Sequence, residues 1–252
     1  MDRRGFIYEL ASASGDFIRP LYGLKSLPVE LKSDETPVTR ADTGAEALMR
    51  DMIRKQFPND GLLGEEYGGE NTDAEFVWVL DPVDGTRSFV ANVPLWGTLI
   101  ALLHRGQPIL GCINQPVLDW LLMGDGETTL LNGEPVRCRK TEALADATLV
   151  TSDWRAPARY QDGSAFGRLA GAVQLTRTWG DCYGYFLVAT GWVDIMVDPI
   201  NNPWDIAPLV PILRGAGGAI SDWQGGPAWP GTSTVAAATP ALHARAIELL
   251  NS

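Results

Sequence analysis

Asp81 and Asp84 stand three residues apart in the stretch LDPVDGTRSF (residues 80–89), where the apolar run FVWVL breaks off. If a strand ends at Leu80, the two carboxylates converge at its mouth. Pro82 restricts the backbone between them and leaves the Val83 carbonyl exposed. Two carboxylates and a carbonyl make an oxygen-only ligand set suited to Mg²⁺. Gly85 lets the backbone come close to a ligand, and TRSFVANV opens as a helix at Thr86. A helix start offers free N–H groups and a positive dipole end, a natural cradle for phosphate. The same letters also spell an Asx-type turn with Thr86 as an N-cap, so the stretch alone leaves both readings open.

Other acids sit in comparable settings. Glu65 and Glu66, in LLGEEYGG, follow an apolar pair and lie between glycines, as in a strand-end loop; a solvated glutamate pair is the plainer alternative. In NNPWDIAPL, Asn202 reads as an N-cap, Pro203 as the first helical position and Asp205 as a first-turn acid that suits the helix dipole. Asp181, in TWGDCYGYFLVATG, can cap the helix that follows it. There are only two histidines, His104 and His243, both in settings that suit structural roles. A histidine-rich zinc site or a Ser-His-Asp triad therefore has too little material. Chemistry falls to carboxylates, hydroxyls, backbone and metal.

The elements that must carry these residues follow from patterning. A chain of 252 residues, 45% hydrophobic, can bury a large core as one domain or two packed halves. Twenty basic against 31 acidic residues give a net charge of −11, which argues against nucleic acid as the main partner. Three cysteines without metal-ligand spacing point to free thiols and a reducing compartment. No apolar run reaches membrane-spanning length, and Glu9 and Asp16 interrupt the N-terminal segment, so a cytoplasmic protein without a membrane association is expected. Helical periodicity runs through residues 3–22 and through GAEALMRDMIRKQF. FVWVL reads as a buried strand. LWGTLIALLH, PILGCINQP, DWLLMGD and TTLLNGEPV, separated by hairpin signals, predict a largely antiparallel sheet. After Glu142, strands ATLVTS, VQLTRTW, WVDIMVD, AISDW and STVAAAT alternate with helical YQDGSAFGRLAG, YGYFLVATG and PWDIAPLVPILRGAGG. This predicts a layered α/β architecture of two sheets sandwiched by helices: an N-terminal half, residues 1–142, and a C-terminal half, residues 143–252.

Taken in order, GEE, DPVDGT and a Trp-Asp followed by a helix and GG resemble the inositol monophosphatase family of metal-dependent phosphatases. The resemblance runs from TPVTRAD to WDIAPLVPILRGAGGAISD. It implies a five-layer αβαβα sandwich of the inositol monophosphatase and fructose-1,6-bisphosphatase type. It implies Mg²⁺, two or three ions per site, held by Glu65, Asp81, the Val83 carbonyl, Asp84 and Asp205. By the same resemblance Glu65 and Thr86 orient the attacking water, and Asp42 pairs with the threonine hydroxyl. Asp84 and the backbone N–H groups of Gly85 and Thr86 meet the phosphate. WGDCYGY and DGTRSFVANVPLWGTLIALL look like the histidinol-phosphatase branch, which places Asp181 and Asp198 toward the substrate; Asp198 is a shorter acid than the glutamate of many inositol-type members. A carboxylate at Asp181 suits a cationic substrate, since a charge-assisted pair is stronger than a neutral hydrogen bond. Arg87 either steers the anionic end or is a surface residue. Family habit implies a homodimer.

The expected partner is a small-molecule phosphate monoester, with histidinol phosphate as the first expectation. An inositol, sugar or nucleotide phosphate is the same-fold alternative. A non-catalytic regulatory protein of this fold is a second alternative, against which the retained acids speak. A retaining glycosidase also uses paired carboxylates, but it explains neither the Gly-Thr helix start nor the further acids.

Overall fold

The computed structural model describes residues 2–32 and 36–252. Its helices are α1 (Arg3–Ile18), α2 (Arg40–Gln56), α3 (Thr86–Val90), α4 (Ala156–Tyr160), α5 (Gly163–Ala172), α6 (Asp181–Ala189), α7 (Pro203–Gly215) and α8 (Pro240–Leu250). The first ten strands are β1 (Val29–Leu31), β2 (Pro37–Thr39), β3 (Gly61–Gly64), β4 (Gly68–Glu70), β5 (Phe76–Asp84), β6 (Gly97–His104), β7 (Gln107–Gln115), β8 (Trp120–Gly124), β9 (Thr129–Leu131) and β10 (Glu134–Pro135). The last five are β11 (Thr148–Thr151), β12 (Leu175–Arg177), β13 (Ile195–Asp198), β14 (Ala219–Ser221) and β15 (Thr234–Ala237).

β3 to β10 form one sheet in the order β10-β9-β8-β7-β6-β5-β3-β4, antiparallel except where β3 runs parallel to β5. β11 to β15 form a second, mixed sheet in the order β12-β11-β13-β15-β14. α1 and α2 cover the outer face of the first sheet, α6 and α7 lie between the sheets, and α5 and α8 cover the outer face of the second. The molecule is therefore a five-layer αβαβα sandwich. Strand β5 is buried on both faces, which is why FVWVL is continuously apolar instead of alternating. One core cluster joins Trp78 and Leu80 to Phe6, Leu10 and Met49 of α1 and α2. Another joins Phe186 and Leu209 of the middle layer to both sheets. Among the described residues no helix is long and apolar enough to cross a membrane, and the three cysteines are free thiols.

Several boundaries differ from the pattern in the sequence, each for a local reason. α2 begins at Arg40 because Thr39 and Asp42 form a capping box: Thr39 N–H donates to Asp42 Oδ2 at 2.8 Å, and Ala41 N–H donates to Thr39 Oγ1 at 3.0 Å. The helix expected from residue 3 through 22 ends at Ile18 and gives way to a single 3₁₀ turn containing Pro20. The helix expected over YQDGSAFGRLAG starts only at Gly163, where Asp162 caps it by accepting from Ser164 and Ala165 N–H, and Tyr160 is the last residue of the separate α4. Strand β5 does not stop at Leu80. It continues to Asp84 through a register shift, Asp81 pairing with Leu99 and Asp84 with Gly97.

Candidate active site

The register shift in β5 builds the acidic loop. Pro82 has no N–H to give to a ladder, and Val83 N–H turns to Asp81 Oδ1 at 3.0 Å. The Val83 side chain is fully buried, and its carbonyl accepts from Thr86 Oγ1 at 3.0 Å. Gly85, with φ +84°, is the N-cap of α3, and Thr86 is its first helical residue, as the helix-opening reading of the sequence has it, and not the N-cap of the alternative. A side chain at Gly85 would meet Leu95 O at 2.8 Å and Asp181 Oδ2 at 3.0 Å, so only glycine brings this backbone so close to the neighbouring loop. α3 puts Thr86 under the acids and leaves Arg87 exposed at the rim of the cleft.

Residues distant in sequence complete the cluster. Carboxylate oxygens of Asp81, Asp84 and Asp205 all lie within 4.8 Å of one another. Asp205 is delivered by α7, whose Asn202–Asp205 capping box has Asn202 N–H donating to Asp205 Oδ2 at 2.7 Å. Glu65 and Glu66 occupy the turn between β3 and β4, and Glu65 N–H is pinned to Leu80 O at 3.2 Å. Burial first, then the charges of Glu65, Asp84 and Asp205, pushes the Asp81 carboxyl well above its ordinary range. Asp84 is pushed up by burial, with Asp181 and Asp205 adding to it, although Cys182 N–H donates to Asp84 Oδ2. Burial raises Asp205 to about 7. These donors are hard oxygens crowded together and penalised for their charge, the setting a hard divalent cation relieves.

Lys32 supplies a cation of the chain's own. Its Nζ donates to Glu65 Oε1 and to Glu66 Oε1, each at 2.7 Å. Burial alone would lower the Lys32 pKa, but its bonds to the two glutamates raise it instead. Glu66 is pushed up to about 7 by burial in spite of this partner. Asp42 lies on the other side of Thr86: its Oδ1 faces Thr86 Oγ1 at 3.3 Å, while its Oδ2 holds Thr39 Oγ1 at 2.7 Å. With its one proton committed to Val83 O or Asp42, the Thr86 hydroxyl presents lone pairs outward and can accept a hydrogen bond from water.

The acids border a cleft of about 890 Å³ that extends to the carboxyl ends of the second sheet. Asp198 closes β13 there, buried, with Ser152 Oγ donating to Oδ1 at 2.7 Å and Tyr185 Oη to Oδ2 at 3.0 Å. Asp181 begins α6 beside it. Burial raises Asp181 to about 6, with Arg87 acting against the rise, and raises Asp198 to about 7. Among the described residues neither carboxylate is in an ion pair.

The Asp198 shift has a definite consequence for stability. Its folded pKa lies above the unfolded one, so between about pH 4 and 7 the folded chain holds a proton that the unfolded chain has released. That contribution is complete below the unfolded pKa and is lost as pH rises through the folded one. Asp198→Asn should therefore show a smaller decline in thermal midpoint than wild type between pH 5 and 8, measured in chelator; an unchanged or steeper decline would contradict the assignment.

Glu65, Asp81, Val83, Asp84, Gly85, Thr86, Asp42 and Asp205 thus come together in one neighbourhood bordering the cleft; Asp181 adjoins it at Gly85 and Asp84, Arg87 stands at the rim, and Ser152 links Asp181 to Asp198. Sequence reasoning passed over Lys32, Ser152 and Tyr185. Lys32 follows an exposed strand and carries no motif, and Tyr185 reads as one more core aromatic. The signal for Ser152 was positional, because it follows a strand whose neighbour ends in Asp198.

A sequence model of the inositol monophosphatase family matches residues 3–252. The chain belongs to this family. It is 40% identical to a chloroplastic bifunctional phosphatase of Arabidopsis thaliana, over 96% of this chain and 72% of that protein. It is also 40% identical to the histidinol-phosphatase of Chlorobaculum parvum, over 86% of this chain and 84% of that one. Among solved structures, an inositol monophosphatase from Zymomonas mobilis superposes with a TM-score of 0.87 at 37% identity, covering 97% of this chain and 96% of that one. Family membership makes the acidic cluster the place to look for the metal of a metal-dependent phosphatase. The relatives are named for two different substrates.

Proposed function

We propose that the chain, a phosphoric monoester hydrolase of the inositol monophosphatase family, uses Mg²⁺ to cleave L-histidinol phosphate to L-histidinol and phosphate, a step of histidine biosynthesis. The observation that carries this reading is the pair Asp181 and Asp198: two carboxylates in no ion pair among the described residues, lining the cleft beside the acidic cluster, with Arg87 near enough to act on Asp181. A neutral polyol does not need two such charges. An ammonium group does, because charge-assisted hydrogen bonds to ionised partners are roughly twice as strong as neutral ones.

Glu65, Asp81, Asp84, Asp205 and the Val83 carbonyl are the ligands in this reading. Held by these residues, Mg²⁺ would supply Lewis-acid activation of water and neutralisation of developing negative charge. The remaining work belongs to the chain. Thr86 Oγ1, oriented by Val83 O and Asp42, accepts from the attacking water and, together with Glu65, aims it at phosphorus. The N–H groups of Gly85 and Thr86, at the start of α3, meet phosphate oxygens. Arg87, exposed at the rim, draws the dianion inward and tempers the charge of Asp181.

The test is a substrate panel with and without Mg²⁺. Histidinol phosphate should exceed inositol 1-phosphate in kcat/KM by about 10- to 100-fold, the value of a charge-assisted hydrogen bond, and chelator should abolish both activities. Equal or better turnover of inositol phosphate would replace this reading with an inositol or broader sugar-phosphate phosphatase, the alternative that the Zymomonas relative favours. Full activity in chelator would remove the metal from the mechanism.

A further inference from the structure

We propose that Ser152 is the positioning residue for substrate selection: its single hydroxyl sets the spacing of Asp181 and Asp198, so that both carboxylates address one cationic group. This rests on the reading above that these two acids recognise the alcohol portion of the substrate.

The placement begins with strand order. β11 and β13 are adjacent and parallel, with Thr151 opposite Val197. The next residue along each chain, Ser152 and Asp198, therefore emerges side by side at the carboxyl ends of the strands, where open α/β sheets bind ligands. Ser152 N–H reaches Asp198 Oδ1 at 3.3 Å, and its hydroxyl donates to the same oxygen at 2.7 Å. That donation commits the only hydroxyl proton. The oxygen then accepts Asp181 N–H at 2.8 Å. One atom thus fixes a side chain of the second sheet and a backbone amide of α6.

Asp181 needs such a restraint. Its φ is +51°, a left-handed conformation that is uncommon outside glycine. α6 has no side-chain cap, and its N-cap Gly180 packs flat on Ser152, where an added Cβ would lie 2.1 Å from Ser152 Cα. Of the first two amides of the helix, Asp181 N–H goes to Ser152 Oγ and Cys182 N–H to Asp84. Without the serine hydroxyl the Asp181 amide loses its partner, and the strained backbone is free to relax away from the cleft. Asp198 keeps Tyr185 Oη and Ser152 N–H, so it stays in place but loses its register with Asp181.

A role confined to stability would lower turnover of all substrates together; a positioning role separates them. Full-length wild type, Ser152→Ala, Ser152→Thr and Asp181→Asn are to be compared, with Mg²⁺, on histidinol phosphate and on p-nitrophenyl phosphate, whose leaving group carries no cation. Ser152→Ala should lower the ratio of the two kcat/KM values about 30-fold, the order expected for a misplaced charged contact, chiefly through KM for histidinol phosphate. Ser152→Thr, which keeps the hydroxyl, should restore most of the ratio. If the alanine variant does not fold, Ser152→Cys, nearly isosteric and a weak donor, should show the same selective loss. Parallel losses on both substrates, or no loss in the ratio while Asp181→Asn does lower it, would overturn the role of Ser152. If Asp181→Asn also leaves the ratio unchanged, the failure lies in the reading of the two acids, and the positioning proposal falls with it.

Discussion

Glu65→Gln should reduce kcat on phosphate esters by about a thousandfold, within the range for loss of a positioned proton acceptor, while the protein keeps its fold. The substitution is nearly isosteric, and the backbone at this turn is held independently of the side chain. Glu65 N–H is tied to Leu80 O, and the next two amides, of Glu66 and Tyr67, donate to the buried carboxylate of Glu46 at 2.8 and 3.2 Å. What changes is chemical: an amide neither accepts a proton from water nor contributes a full charge to a hard-cation site. Glu66→Gln is the internal comparison, because Glu66 shares the Lys32 ammonium at the same 2.7 Å distance but follows Glu65 in the turn. A loss produced simply by removing a charge near Lys32 would be similar in both variants. The expected outcome is a large kcat loss and weaker Mg²⁺ binding by calorimetry in Glu65→Gln, with a much smaller change in Glu66→Gln. Wild-type kcat and Mg²⁺ affinity in Glu65→Gln would remove Glu65 from both its roles.

The contrast between these two glutamates shows where the sequence was legible. DPVDGT and the distant WD each left a structural reading open, and the site became legible only when GEE, DPVDGT and WD were taken in order as a resemblance to one family. Two sheets and their helical layers were legible from apolar runs and hairpin signals. Asn132-Gly133, for instance, turns β9 into β10 with both residues at positive φ. The end of β5 was not legible, since Asp-Pro reads as a stop and nothing local announces that pairing resumes opposite Gly97. Nor was Gly85 as the cap, because the sequence left Thr86 open as first helical residue or N-cap, and threonine and glycine both serve as caps. Lys32 and Ser152 have no motif at all. Their contacts are with neighbours 33 and 46 residues away in sequence, and only the packed chain makes those pairs adjacent.

The brace under the Glu65 turn leads to the largest expected change in stability. Glu46 and Arg50 form an i,i+4 pair on α2, Arg50 Nε to Glu46 Oε1 at 2.8 Å, with both residues buried, at 0% and 3% exposure. Arg50 also donates to Gly68 O, so the pair grips both sides of the turn between β3 and β4. Removing one partner of a buried pair strands the other charge and costs about 3–5 kcal/mol. Arg50→Met should therefore lower the thermal midpoint by roughly 10 °C, at the 2–4 °C per kcal/mol typical of a chain this size. The double variant Glu46→Leu with Arg50→Met removes the stranded charge, and replacement of a buried pair by apolar residues is often neutral or better. Its midpoint should recover toward wild type. Activity should not recover with it, because the Glu46 carboxylate is also the acceptor for Glu66 and Tyr67 N–H, and no leucine replaces that. Scanning calorimetry and kcat on wild type and the two variants would decide the matter. Recovery of both quantities together would mean that the pair only stabilises the turn; recovery of the midpoint alone would mean that a buried ion pair, costly to assemble, is kept because it aims Glu65.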